Sequence, residues 1–216
     1  MYGSEITGGI IKVELSEKFV LKFFEKTFKP VSTSWFATIY YQLIDSRYRT
    51  RKKLDDFLKE QISNPSPELL KIAQELRDAS KSPDELIIKV LKHVNLKSTY
   101  ISDQLQWGYA DKWEQASDVY NSGKNDCDGQ NSLIYVLARL AGVSGLCLWS
   151  CLGDVNGGYH YWNIYFSPKE GKWYSIDSTY YPDMTNIEYR EEFELNNDYY
   201  KTINFVFNED FTLKHR

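Results

Sequence analysis

The spacing of apolar residues changes character near residue 98. Upstream, apolar positions return every three or four residues, the spacing of one helical face. The stretch "SEKFVLKFFEKTF" does so and breaks at Pro30. The pattern resumes in "STSWFATIYYQLIDSRYRTRKKLDDFLKEQI", so helix is predicted over most of residues 16–61. "NPSP" (64–67) interrupts it. Ser66-Pro67-Glu68 then predicts a helix start, with Ser as cap and Pro at the first helical position, where an amide would have no partner. A second start falls at Ser82-Pro83, and Glu85 stands three residues after Ser82 in capping-box spacing.

Downstream, "TYISDQLQWGYADKWEQASDVYNSGKND" is polar and aromatic and reads as loop, with a short helix near 112–120. One long helix is predicted over 127–141, with Leu133, Ile134, Leu137, Ala138 and Ala141 on one face. Strands are predicted near 145–152, 158–166 and 172–178, and "KTINFVFNE" reads as a further strand. Helices first and strands later is an α+β order. Residues 1–65 are expected to be a helical N-terminal extension, and 66–216 the domain proper.

Composition narrows the function classes. Lysine and arginine number 26 against 30 acidic residues, so the net charge of −4 gives no general attraction to nucleic acid or an anionic membrane. The one basic cluster, "SRYRTRKK" (46–53), is expected to be a solvated helix face. "MYGSEITGGIIKVELSEK" lacks a secretory pattern, and no 18-residue apolar run is present, so a cytoplasmic location is expected.

Three cysteines are too few and too odd for a disulfide framework. Cys147 and Cys151 are four residues apart in a strand-like stretch, roughly 13 Å. A disulfide needs Cα atoms under about 7 Å apart. Both are therefore expected to be reduced core residues. Cys127 differs, because it stands between Asp126 and Asp128 where a polar loop becomes a helix. The helix N-terminus favours the thiolate. The flanking acids oppose it, but Asp at that position also caps free amides. "DCD" lacks the usual spacing of metal ligands, so no metal or cofactor is expected.

Of three histidines, His215 is near the C-terminus and His93 lies on a predicted helix. His160 precedes a predicted hairpin, "NIYFSPKEGKWYSID". With "SPKE" (167–170) as its four-residue loop, Phe166 faces Gly171, Ile164 faces Trp173, and His160 falls opposite Asp177. A carboxylate there would hold one imidazole nitrogen and leave the other for the thiol proton. A slip of two residues would keep the face.

Cys127, His160 and Asp177 stand in "SGKNDCDGQNSLIYVLARLAGV", "GGYHYWNIYF" and "GKWYSIDSTYY". Together these resemble the transglutaminase-like superfamily of cysteine-dependent acyl-transfer enzymes, related in architecture to papain-type proteases. The resemblance covers roughly residues 82–182, and its specificity lies in three blocks in the right order and spacing. It departs at Asn125, where Gly is usual, at Ser178, where Pro often follows the Asp, and at Tyr161, where Ala is frequent. Asn tolerates positive φ, so the turn at residue 125 is expected to survive. Residues 1–65 have no counterpart.

The resemblance implies a Cys-bearing helix packed on an antiparallel sheet. It also implies Cys127 as nucleophile, His160 as general base then acid, and Asp177 as orienting group. The reaction implied is hydrolysis or acyl transfer at an amide or peptide carbonyl through a thioester, on a protein or peptide substrate. The Cys127 amide is one oxyanion donor, with Trp107 or Gln106 considered for the second. The alternative is a catalytically idle module of the same fold, used for protein binding or assembly.

Overall fold

A computed structural model describes residues 54–108, 112–156, 158–179, 199–200 and 203–210 with their side chains. It gives the backbone alone for strands within 4–13, 40–53, 191–192, 201–202 and 212–214. The first strands are β1 (Ser4–Thr7) and β2 (Ile10–Val13), then β3 (Tyr40–Asp45) and β4 (Tyr48–Lys53). The β3–β4 pair is an antiparallel hairpin with Asp45 opposite Tyr48. Helix was expected there, basic cluster included. The stretch instead carries Tyr, Ile and Thr, residues that suit a pleated surface. The helix expected from residue 16 falls, up to residue 39, outside the described residues.

The helices are α1 (Leu54–Ser63), α2 (Pro67–Asp78), α3 (Pro83–Lys97), α4 (Asp103–Trp107), α5 (Ala116–Ser122) and α6 (Cys127–Leu140). Both expected caps are made. Ser66 Oγ accepts from the Leu69 amide at 3.2 Å, and Ser82 Oγ from the Glu85 amide at 3.1 Å. Glu85 reaches back to the Lys81 amide at 2.8 Å, one residue earlier than a full capping box requires. α1 lies before the division expected at residue 65, yet its Leu54, Phe57 and Leu58 are in the main core. Gln61 Oε1 also accepts from the Ala116 amide at 2.6 Å.

Short parallel strands β5 (Thr99–Tyr100) and β6 (Lys124–Asn125) frame the corner before α6. The main sheet comprises β7 (Leu148–Val155), β8 (Gly158–Ser167), β9 (Lys172–Ile176), β10 (Glu191–Glu192), β11 (Tyr200–Phe207) and β12 (Thr212–Lys214). Its order is β10-β9-β8-β7-β11-β12, antiparallel throughout. α6 is not the one-faced helix expected. Residues 128–138 are all buried, because α1, α2, α3 and α5 pack around it while β8 and β7 cover the other side. Leu133, Ile134 and Leu137 have no exposed surface, each such side chain contributing roughly 1.5–3 kcal/mol by leaving water.

The β8–β9 register differs from the expected one by two residues. Phe166 faces Trp173 and Ile164 faces Ser175, because the loop is 168–171 rather than 167–170. Gly171 takes φ 68° at the loop end, which fixes that choice. Parity is kept, so His160 and Asp177 stay on one face as diagonal rather than direct neighbours. Cys147 and Cys151 are buried free thiols, as expected, both pushed up by burial, Cys147 to about 11. Among the described residues no helix is long and apolar enough to cross a membrane.

Candidate active site

Cys127 is the first residue of α6. Asp126 is the N-cap, its Oδ1 accepting from the Asp128 amide at 3.3 Å, so one of the two acids has the capping role its position suggested. The preceding corner is closely tied. Ile101 N–H donates to the Asn125 carbonyl at 3.2 Å, Gln130 Nε2 donates to that same carbonyl at 3.2 Å, and Asn125 Nδ2 donates to Val119 O at 3.3 Å. Asn125 was expected to take a left-handed turn. It lies instead in extended β6, and Gly123, ending α5 with φ 62°, takes the positive φ. A Cβ on Gly129 would stand 2.8 Å from Asn125 Cβ, so only glycine lets α6 approach β6 this closely.

The thiol does not ionise easily by itself. Burial, then Asp126 and Asp128, push it well above the ordinary range, and Asp177 adds to this. Burial and both flanking acids thus oppose the expected pull of the helix N-terminus. One contact favours the anion: the Tyr161 backbone amide donates to the sulfur. That amide belongs to the residue after His160.

His160 is on β8, 7% exposed. Its Nε2 is 2.7 Å from Asp177 Oδ2. The ring lies nearly parallel to Trp162, centroids 5.8 Å apart, and Tyr199 meets it edge-on at 6.0 Å. With Nε2–H donating to the carboxylate, Nδ1 keeps its lone pair. Asp177, just past β9, is fully buried. Besides His160, its Oδ2 accepts from the Tyr200 hydroxyl at 3.1 Å. Its Oδ1 accepts from Asn131 Nδ2 at 3.0 Å, the Thr179 amide at 3.0 Å and Thr179 Oγ1 at 2.8 Å. Burial alone would raise this carboxyl. The charge interaction and hydrogen bond with His160, then the other donors, outweigh burial and hold it below the usual carboxylate range.

Asn131, Thr179 and Tyr200 were not anticipated. Asn131 left a trace in the sequence, since "GQNS" (129–132) is a polar run inside an otherwise apolar helix. Tyr200 left none, being one of 17 tyrosines and distant along the chain. The two residues considered as second oxyanion donors stand differently. The Trp107 indole bonds Glu114 and lies beneath Lys112 Nζ, 3.3 Å from the ring centroid. Gln106 Oε1 is buried without a partner. Tyr100, on β5, is near enough to the thiol and its flanking acids for its hydroxyl, already raised by partial burial, to be pushed up to about 12.

His93 stacks on Tyr120 at 5.9 Å, and burial, then Lys97, lower its proton affinity. His215 lies outside the described residues. Asp126, Cys127 and Asp128 have donor atoms within 4.8 Å of one another. They are three consecutive residues with Asp126 already engaged as cap, and they are not assigned as a metal site.

Comparison with solved structures finds this architecture elsewhere. LapG of Legionella pneumophila superposes with a TM-score of 0.51 at 16% identity, over 74% of this chain and 87% of that one. Its calcium-bound form gives 0.52 over the same shares, and its EGTA-treated form 0.51 over 74% and 84%, both at 16% identity. At such identity the likeness is one of fold. No curated protein matches the sequence. The Transglutaminase-like superfamily, which includes cysteine proteases and transglutaminases, matches residues 70–178, from α2 to just past Asp177. That is half of the chain, and it includes the Cys127 corner, β8 and β9: the chain belongs to the Transglutaminase-like superfamily.

Proposed function

We propose that this protein is a cysteine-dependent acyl-transfer enzyme acting on an amide or peptide carbonyl, with Cys127, His160 and Asp177 as its triad. One observation carries the reading: the 2.7 Å contact between His160 Nε2 and the buried, five-donor Asp177 carboxylate, on the strand whose next amide bonds the Cys127 sulfur. A thiol raised by burial and two acids needs a base to take its proton, and His160 Nδ1 is the candidate.

In the first step the S–H proton passes to Nδ1 as sulfur attacks the carbonyl carbon. The carbonyl oxygen becomes an oxyanion, facing the Cys127 backbone N–H, a first-turn amide with no intrahelical acceptor. The intermediate collapses to a thioester. The C–N bond breaks, and the amine leaves with the proton from Nδ1. Water, or a second amine, then attacks the thioester carbonyl; its proton passes to Nδ1 and on to the sulfur as the C–S bond breaks and the acid or new amide leaves. Asp177 keeps the ring oriented and stabilises the imidazolium present between the two transfers. Superfamily members act on proteins, and hydrolysis of a protein or peptide is favoured here over cross-linking.

A second reading has its own support. His160 is 7% exposed and covered edge-on by Tyr199, as in a module that keeps the fold without turnover. A panel of peptide amides, assayed with the wild type and Cys127→Ala, separates the two. Turnover lost in the variant supports the enzyme, and equal signals support the idle module.

A further inference from the structure

We propose that Asn131 is a positioning residue of this site, fixing Asp177, and through it the His160 ring, relative to the helix that carries Cys127. The inference rests on the triad reading above. Asn131 lies one helical turn after Cys127, so α6 presents the thiol and the carboxamide on one side. Its side chain is fully buried, and its side-chain bonds run to β8 and to the segment just past β9. Nδ2 donates to the Tyr161 carbonyl at 2.9 Å and to Asp177 Oδ1 at 3.0 Å. Oδ1 accepts from the Ser178 amide at 3.2 Å. Its backbone carbonyl accepts from Asn163 Nδ2 at 2.8 Å. One residue thus holds the chain beside His160, the carboxylate that binds His160, and the amide after that carboxylate.

The origin of each donor decides its role. Thr179 gives Asp177 Oδ1 two bonds, but it is two residues along the same turn and moves with it. Tyr200 anchors Oδ2 from β11. Asn131 is the donor that comes from the nucleophile's own helix. A purely structural tie between helix and sheet would be met equally well by apolar packing, since a buried amide is costly unless every polar atom is bonded. Here both donors and the acceptor converge on the segments that carry the imidazole and the carboxylate. Loosening the carboxylate would let the imidazole turn away from the sulfur while leaving all three reacting groups in place.

A double-mutant cycle tests this. The second-order rate of Cys127 alkylation by iodoacetamide, followed by peptide mass mapping at pH 7, is measured in wild type, Asn131→Ala, His160→Ala and the double variant. Asn131→Ala is expected to lower the rate about ten-fold, the effect of one hydrogen bond to a charged group. In the His160→Ala background it is expected to have no further effect, because the group it positions is gone. No fall in the single variant, or the same fall in both backgrounds, overturns the proposal and leaves the triad standing. A rate unchanged by His160→Ala overturns the triad and this inference with it. Should Asn131→Ala lose its cooperative thermal transition, Asn131→Ser, which keeps a short donor, goes through the same cycle with a smaller fall expected.

Discussion

Two buried carboxylates flank the same helix, and they are neutralised in opposite ways. Near the start of α6, Asp177 is met by one group that can gain or lose a proton, His160, and by four neutral donors. Near its end, Glu209 is met by a permanent cation, with Arg139 Nε at 2.8 Å, a second guanidinium contact, and the Tyr135 hydroxyl. In both, burial would raise the carboxyl and its partners outweigh burial and lower it, Arg139 foremost for Glu209. A fixed ion pair suits a staple between helix and chain end. A carboxylate held mostly by neutral donors leaves its imidazole partner free to cycle between charge states. On the proposed function, one end of α6 serves stability and the other chemistry.

The largest effect expected is on turnover. Cys127→Ala removes the nucleophile and should cut kcat on any amide substrate about a thousand-fold or more. The midpoint of urea unfolding should stay close to wild type, since the side chain is small and stands at the first residue of α6. A large loss of stability would blur the division between the two ends.

Glu209→Gln should do the reverse. It leaves the Arg139 guanidinium, 21% exposed, without its anion. The expected cost is about 2–3 kcal/mol in urea unfolding, below the full penalty for a deeply buried pair. Activity per folded molecule should stay within about two-fold. The pH dependence follows from the sign of the shifts. Both carboxyls are lower in the fold than in the unfolded chain, so their contribution is complete above roughly pH 5 and is lost as pH falls through the folded values. Acid unfolding followed by circular dichroism should therefore be shallower in Glu209→Gln.

These two ends were unequally legible in the sequence. The geometry at the start of α6 could be read because local rules govern it: a capping Asp, a loop-to-helix corner, a hairpin whose parity survives a slip of two residues. Proline and serine likewise marked the starts of α2 and α3, and the strand at "KTINFVFNE" is β11. The failures were tertiary. Helical spacing in "YYQLIDSRYRTRKK" lost to β propensity and strand pairing. α6 was read with its apolar residues on one face, because nothing local tells how many helices surround it. Glu209 and Tyr200 reach α6 and Asp177 from far along the chain, and no spacing rule links them.

Tyr200→Phe sharpens the comparison at lower amplitude. The ring keeps its packing on Trp162, centroids 4.8 Å apart, and loses the 3.1 Å hydroxyl bond to Asp177. kcat/KM should fall roughly three- to ten-fold, the scale of one such bond. An unchanged value would mean that Oδ2 is held well enough by His160. Smallest of all, Ser82→Ala removes the α3 cap and should cost about 1 kcal/mol of stability, with no change in kcat/KM.

The most direct measurement asks whether the thiol depends on the imidazole. Folded wild type and His160→Ala are each treated with substoichiometric iodoacetamide, and the label on Cys127, Cys147 and Cys151 is mapped by mass. The expected result is label on Cys127 in the wild type, with a rate at least about ten-fold lower in His160→Ala. Equal Cys127 rates in the two proteins would contradict a Cys127–His160–Asp177 site.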